Sequence, residues 1–261
     1  MFELTTDQVD RFERDGFVNG GQLLTDAEVE SLRGELERVI EEDRRSGKSG
    51  ALNVANLKSS ETPIIQIVNI WMGSDPFRDV MMRQDLGKVA RELMGSQEVR
   101  IWHDQIQYKP SGNGGVNMWH QDWPYWPSLS APEQVTAWVA LDEVDMDNGC
   151  MSMVPGSHKW GKQIDFLHAL NDFESMPETL DGKRLEVVPC PVKKGEVHFH
   201  HALTWHGSHA NTSGRSRRAI AFHYMNEKTR FVAGAQHICS SLSEVGDGEK
   251  LVGKHFPLVF P

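Results

Sequence analysis

Apolar residues at Val29, Leu32, Leu36, Val39 and Ile40 recur at the three- and four-residue spacing of one helical face, and "RRSGKSG" ends the run. Thr25 with Glu28 forms a capping-box pattern ahead of it, flanked by a hydrophobic staple of Leu24 and Val29. The same signature stands earlier in the chain, with Thr5 and Gln8 inside a Leu4–Val9 staple. A third helical region opens at "SDPF", where Pro76 suits a first turn, and runs with a break to Met94 and Gly95. The first hundred residues therefore read as helical.

After residue 98 the pattern changes. "EVRIWHDQIQYKP", "EQVTAWVALDEV", "RLEVVPCPV", "GEVHFHHALTW" and "RRAIAFHYM" are short runs rich in β-branched and aromatic residues, separated by Gly, Pro, Asn and Asp. No helix-length period lies between most of them, which argues against βαβ winding and for a sandwich or barrel of antiparallel strands. With no repeat and no linker long enough to divide it, the chain of 261 residues reads as one domain. Its parts are a helical N-terminal portion to about 97, a β core from about 98 to 226, and a C-terminal extension over about 227–261.

Composition narrows the function classes. With 27 basic and 37 acidic residues the formal charge is -10, so the chain has no general electrostatic attraction to nucleic acid or anionic lipid. Three dispersed cysteines, Cys150, Cys190 and Cys239, form no C-x-x-C and no disulfide framework. No signal-like or membrane-length apolar run is present. The expectation is a cytoplasmic protein with a small-molecule partner, the sequon at Asn211 being inert; the pattern leaves the oligomeric state open.

The candidate chemistry lies in histidines. The chain has 12 of them, six between 198 and 223. "WHQDWPYWP" places His120 and Asp122 two residues apart at a strand end, where strand alternation would turn both to one side and Gln121 to the other. One further His would complete a 2-His-1-carboxylate triad, which covers one face of an octahedral iron and leaves the other open. The third ligand has to come from His198, His200, His201, His206, His209 or His223. His198 and His200 share a strand face. His206 stands where a strand passes into a Gly/Ser/Asn turn, and Arg217 opens the next strand eleven residues later. If those two strands are neighbours, the guanidinium folds back beside His206 and can clamp a carboxylate.

These residues carry a resemblance. His120-x-Asp122 followed by "HGSHANTSGRSRRA", with His206 and Arg217, resembles the phytanoyl-CoA dioxygenase family of iron(II)/2-oxoglutarate oxygenases. "TTDQVDRFERDGFV", "YKP" at 108–110, "AWVALDEVDMDNGCMSMVPGSH" and "KKGEVHFHHALTWHGS" are similar too, so the likeness runs from residue 5 to about 225, while 226–261 matches nothing. It implies a mainly β fold, a double-stranded β-helix (jelly-roll, cupin-like) core with N-terminal helices packed on one side. It implies iron(II) held by His120, Asp122 and His206, with 2-oxoglutarate and dioxygen as co-substrates. Arg217 and Ser208 would meet the distal carboxylate of 2-oxoglutarate, with Trp138, Gln105 and Gln66 at further co-substrate positions. The implied reaction releases succinate and carbon dioxide and oxidises an unactivated C–H of a small molecule. Related halogenases lack the carboxylate that Asp122 supplies, so hydroxylation, desaturation or ring chemistry is favoured over halogenation.

Competing readings are weighed on the same residues. A cupin-like hydrolase or isomerase using zinc would have no use for Arg217 at that spacing. A non-catalytic jelly-roll binding protein would not need the intact set of His120, Asp122, His206 and Arg217. The acidic loop 141–149 is not an EF-hand, since Gly156 stands where the terminal Glu would be. His158 reads as structural, and His103 and His223 as packed or pocket residues. Trp119 is expected in the core. Trp123, Tyr125 and Trp126, stiffened by Pro124 and Pro127, are candidate substrate walls. The ectoine-hydroxylase branch carries different residues around its H-x-D and is disfavoured. The acidic chain also offers no basic platform for the phosphates of coenzyme A.

Overall fold

Both N-terminal capping boxes are formed. Thr5 starts helix α1 (Thr6–Asp15) and Thr25 starts helix α2 (Asp26–Ser46), each with reciprocal side-chain and backbone bonds to the third helical residue. Gly16 and Gly47 end them in the left-handed region, which glycine enters without steric cost. Helices α3 (Asp75–Met81) and α4 (Gln84–Met94) follow, with Pro76 in the first turn of α3, and a short α5 (Ile164–His168) comes later. The computed structural model describes residues 1–57 and 61–261. No helix among them is long and apolar enough to cross a membrane.

Among the described residues, fourteen strands are named in chain order. The first seven are β1 (Phe17–Gln22), β2 (Asn53–Asn56), β3 (Ile65–Val68), β4 (Val99–Lys109), β5 (Asn117–His120), β6 (Val135–Ala140) and β7 (Met151–Met153). A small hairpin of β8 (Thr179–Leu180) and β9 (Lys183–Arg184) precedes β10 (Val188–Cys190). Then come β11 (Glu196–His201), β12 (His206–Ser208), β13 (Arg217–Asn226) and β14 (Leu258–Phe260). The main sheet runs β1-β11-β6-β13-β4-β3-β2, with β14 also on β4; the smaller sheet runs β10-β7-β12-β5. Every pairing is antiparallel, as the strand pattern and the jelly-roll expectation required.

Three strands of the main sheet, β1, β2 and β3, come from the first hundred residues, which read as helical throughout. "FVNGGQ" and "NVAN" are short and polar, so they carry no period-two signal; pairing with a long neighbour makes them strands. The helices cover one face of the main sheet. There Val135, Ala137, Val139, Val197, Phe199, Ile220, Phe222 and Tyr224 join apolar residues of α1, α2, α3 and α4 in the largest core. Alternation sends Thr136, Trp138, His200, Ala221 and His223 to the opposite face, where they line a cavity of about 560 Å³. A ladder shift between His223 and Tyr224 of β13, opposite His103 and Ile101 of β4, marks a bulge that breaks alternation in β4.

Candidate metal centre

His120 ends β5, and His206 opens β12 directly opposite it, so cross-strand pairing sets the two imidazoles side by side with ring centroids 4.1 Å apart. Asp122 is not on the strand. Its backbone is helical (φ -71, ψ -50) and it leads a 3-10 turn over Trp123–Tyr125, so this turn, rather than strand alternation, sets where the carboxylate points. The turn is fixed by Gln121, fully buried, whose amide donates to the carbonyls of Leu203 (2.8 Å) and Gly161 (2.9 Å) and accepts from the Gln163 N–H (2.7 Å). Gln121 thus faces away from the cavity, as alternation suggested, and serves as a clamp that sequence reasoning did not foresee.

Ligand atoms of His120, Asp122 and His206 all lie within 4.8 Å of one another, among the described residues the one such group of His, Cys, Asp or Glu. Hydrogen bonding fixes the tautomers. Nδ1 of His120 donates to the Met118 carbonyl at 2.7 Å, and Nδ1 of His206 to that of Thr204 at 2.9 Å, so each Nε2 keeps its lone pair. Those Nε2 atoms stand 3.8 and 3.5 Å from Asp122 Oδ1. The other oxygen, Oδ2, accepts from His200 Nε2 and the Thr136 hydroxyl, each at 3.2 Å.

Burial, reinforced by the neighbouring His206, pushes His120 down to about 4, and burial lowers His206 against the pull of Asp122. Burial acts to raise Asp122, but the imidazoles around it and the His200 hydrogen bond hold it well below the ordinary carboxylate range. At neutral pH the cluster is two neutral imidazoles and one carboxylate, the donor set of a ferrous facial triad. The residues present fit that metal.

Arg217 reaches the same cavity by a route the sequence did not suggest. β12 and β13 are not neighbours: β12 lies in the small sheet between β7 and β5, and β13 in the main sheet between β6 and β4. The guanidinium meets Ser208 across the sandwich, Nη2 donating to its hydroxyl at 3.2 Å. Nε and Nη2 also donate to the Gly149 carbonyl (3.2 and 3.0 Å), and Cζ lies 5.3 Å over the Trp138 ring. Among the described residues Nη1 is buried without a partner. A buried guanidinium with a spare donor in a cavity has the chemistry to pair with a carboxylate. Burial lowers Arg217 to about 10, which leaves it charged at neutral pH. Lys109, buried and opposite Arg217 in the ladder, donates to the Ser208 hydroxyl at 2.7 Å. With both lone pairs of Ser208 engaged, its own O–H is left to donate.

Trp138, Gln105 and Gln66 line the cavity, as do Tyr125 and Trp126. Trp123 does not: its indole donates to the Leu129 carbonyl (3.2 Å) and its ring packs on a separate core, because the 3-10 turn rotates it away from the metal ligands. Trp119 is buried. Of the six candidate histidines, His200, His206 and His223 line the cavity; His198 stacks on Phe17, His201 faces His158, and His209 packs on Phe173. Thr136 and Lys109 were missed as functional residues, and His200 was named as a possible ligand but not as a partner of Asp122.

Residues 12–219 match the family model described as phytanoyl-CoA dioxygenase (PhyH). The peroxisomal phytanoyl-CoA dioxygenase of Bos taurus is 25% identical over 246 residues, covering 88% of this chain and 71% of the relative. A probable alpha-ketoglutarate-dependent hypophosphite dioxygenase of Stutzerimonas stutzeri is 29% identical over 245 residues, 87% of this chain and 80% of that one. Among solved structures, the non-heme alpha-ketoglutarate-dependent carbocyclase SnoK from nogalamycin biosynthesis superposes with a TM-score of 0.80 at 26% identity, covering 98% of this chain and 96% of its own. EctD from S. alaskensis with 2-oxoglutarate and 5-hydroxyectoine gives 0.73 at 22% identity, over 95% and 86%, a likeness of fold.

Proposed function

Because the chain belongs to the phytanoyl-CoA dioxygenase family, and is an iron(II)/2-oxoglutarate-dependent dioxygenase, we propose that His120, Asp122 and His206 hold its iron. The observation that carries this is the pair of bare Nε2 atoms facing one carboxylate oxygen. Arg217 Nη1 and the Ser208 hydroxyl receive the distal carboxylate of 2-oxoglutarate, with Trp138 beneath the guanidinium and Gln105 and Gln66 on the walls. When bound, iron(II) with 2-oxoglutarate and dioxygen supplies the oxidising power that attacks a substrate C–H, with succinate and carbon dioxide as co-products.

The chain's own residues do the rest. His200 and Thr136 hold Oδ2 of Asp122, so that Oδ1 stays turned to the imidazoles. Gln121 keeps the turn beneath the carboxylate from opening. Tyr125 and Trp126 wall the side facing the substrate, with Tyr125 bonded through its hydroxyl to His168 Nε2 at 2.7 Å. The reaction is hydroxylation of a small molecule, and the carboxylate at Asp122 stands against halogenation. The relatives' names include a hypophosphite dioxygenase and a carbocyclase, so the scaffold itself does not dictate the substrate. Residues 1–261 act as one domain: β14 of the C-terminal extension pairs with β4, and His237 and Ile238 line the cavity. A cytoplasmic location is supported by three cysteines that are all buried and unpaired.

Purified protein given ferrous iron and 2-oxoglutarate without oxygen should develop a metal-to-ligand absorption band in the visible. A wild-type protein with no such band sinks the assignment.

A further inference from the structure

Three imidazoles that the chemistry above does not use stand together on one wall of the cavity: His103, His223 and His237. The His103 ring lies 4.5 Å from His223 and 5.5 Å from His237, and Trp126 meets the first two edge-on. Along β13, His223 is six residues from Arg217, roughly 20 Å at the usual strand rise. The cluster is therefore at the far end of the strand from the co-substrate's guanidinium. His103 reaches it at the β4 bulge, and His237 comes from beyond residues 12–219, the part the family model matches.

Hydrogen bonds decide which nitrogen of each ring carries the proton. Nδ1 of His103 faces the Asp104 carbonyl at 3.2 Å, an atom that only accepts, so Nδ1 is protonated and Nε2 is bare. Nδ1 of His223 meets the Thr136 hydroxyl at 2.8 Å. That hydroxyl spends its one hydrogen on Asp122, so it accepts from His223, whose Nε2 is again bare. Both Nε2 atoms are buried and, among the described residues, without a partner. His237 is the reverse: Nδ1 accepts the Cys239 N–H at 3.1 Å, which leaves Nε2–H as a donor. Burial holds the rings neutral, lowering His103 well below the usual range, His223 to about 3 and His237 to about 4.

We propose that His103, His223 and His237 form the polar subsite for the substrate, and that it selects a neutral group donating O–H hydrogen bonds, such as a hydroxyl, over a carboxylate or phosphate. Two bare acceptors need donors, and a buried acceptor left unmatched loses binding energy. An anion would instead meet two lone pairs. This inference rests on the iron and 2-oxoglutarate assignment, which leaves this end of the cavity to the substrate.

The test uses full-length protein loaded anaerobically with iron(II) and 2-oxoglutarate, the visible band serving as the control. Calorimetry with 2-naphthol and 2-naphthoate, flat probes suited to the Trp126 wall, should show the alcohol binding at least about tenfold more tightly, the equivalent of one or two hydrogen bonds. In His103→Phe the band should persist while that preference falls away. Nitrogen-15 correlation spectra of the unmodified protein should give Nδ1–H tautomers for His103 and His223 and the Nε2–H tautomer for His237. No preference for the alcohol, a preference that survives in band-forming His103→Phe, or an Nε2–H tautomer at His103 or His223 overturns the subsite alone. If the unmodified protein forms no band, the iron assignment falls and the subsite with it.

Discussion

Asp122 has to be aimed and partly shared, and two neighbours see to this. Oδ1 is left for the imidazole pair because Oδ2 is taken by His200 and Thr136. Replacing His200 with Phe keeps the ring volume but removes the N–H. Iron affinity should fall about tenfold to a hundredfold, the usual cost of losing an outer partner of a metal ligand; an unchanged iron affinity in a metal titration would show Asp122 needs no such support. Arg217 is proposed to act on 2-oxoglutarate instead. Arg217→Ala should weaken 2-oxoglutarate by about a hundredfold, as expected when charge-assisted bonds to a carboxylate are lost, and leave iron affinity nearly unchanged. Titrating the visible band measures both constants, and equal co-substrate affinity would remove Arg217 from the site. At this scale the sequence was most legible, since the donor atoms are side chains whose chemistry is written in their names. It was least legible for Lys109 and Thr136, whose roles come from what they touch.

The pairing of β5 with β12 is the element that makes two distant histidines one site. Their register shifts between His206 and Ser208, so Gly207 lies close to the backbone of β5. A Cβ there would stand 2.9 Å from the Asn117 carbonyl and 2.8 Å from the Phe173 ring, too close unless the strands part. Gly207→Ala should therefore lower iron affinity and the melting temperature together; a variant that binds iron normally would mean the strand pair can yield without spreading its ligands. The helices ask less of the fold. Thr25→Ala removes the capping bond of α2 and should cost about 1 kcal/mol of stability, measured by urea unfolding, with no effect on iron binding. Helices α1 to α4 were legible because caps and the helical period are local signals. Strands β1 to β3 were not, because pairing defines them. The bulge in β4 escaped for the same reason, since it exists only in the ladder with β13.

The whole molecule sets the proton balance. In an unfolded chain the imidazoles titrate near about 6.5. In the fold, burial first of all lowers His120, His201 and His237 to about 4, and His198 and His223 to about 3. Stability is therefore complete above the unfolded value and is lost as pH falls toward the folded ones, because the unfolded chain takes up protons that the fold refuses. Asp104, raised to about 8 by burial, acts with the opposite sign: its contribution is full below the ordinary carboxyl value and lost as pH rises toward 8. Five imidazoles against this one carboxyl decide the outcome. The metal-free protein should have a higher urea midpoint at pH 7 than at pH 5.5, and a reversed order would show that the buried imidazoles do not govern its acid response.

The sequence by itself determined the fold class and the donor types of the candidate metal site. Periodicity, caps and the chemistry of His, Asp and Arg are properties of residues and their near neighbours. Only the tertiary structure decided that Arg217 meets Ser208 from the facing sheet, that a 3-10 turn rather than strand alternation aims Asp122, and that Trp123 turns away from the cavity. It also decided that three histidines from three separate segments share one wall. Sheet partnership and ladder register depend on how distant segments pack, and no local pattern of apolar and polar residues records that.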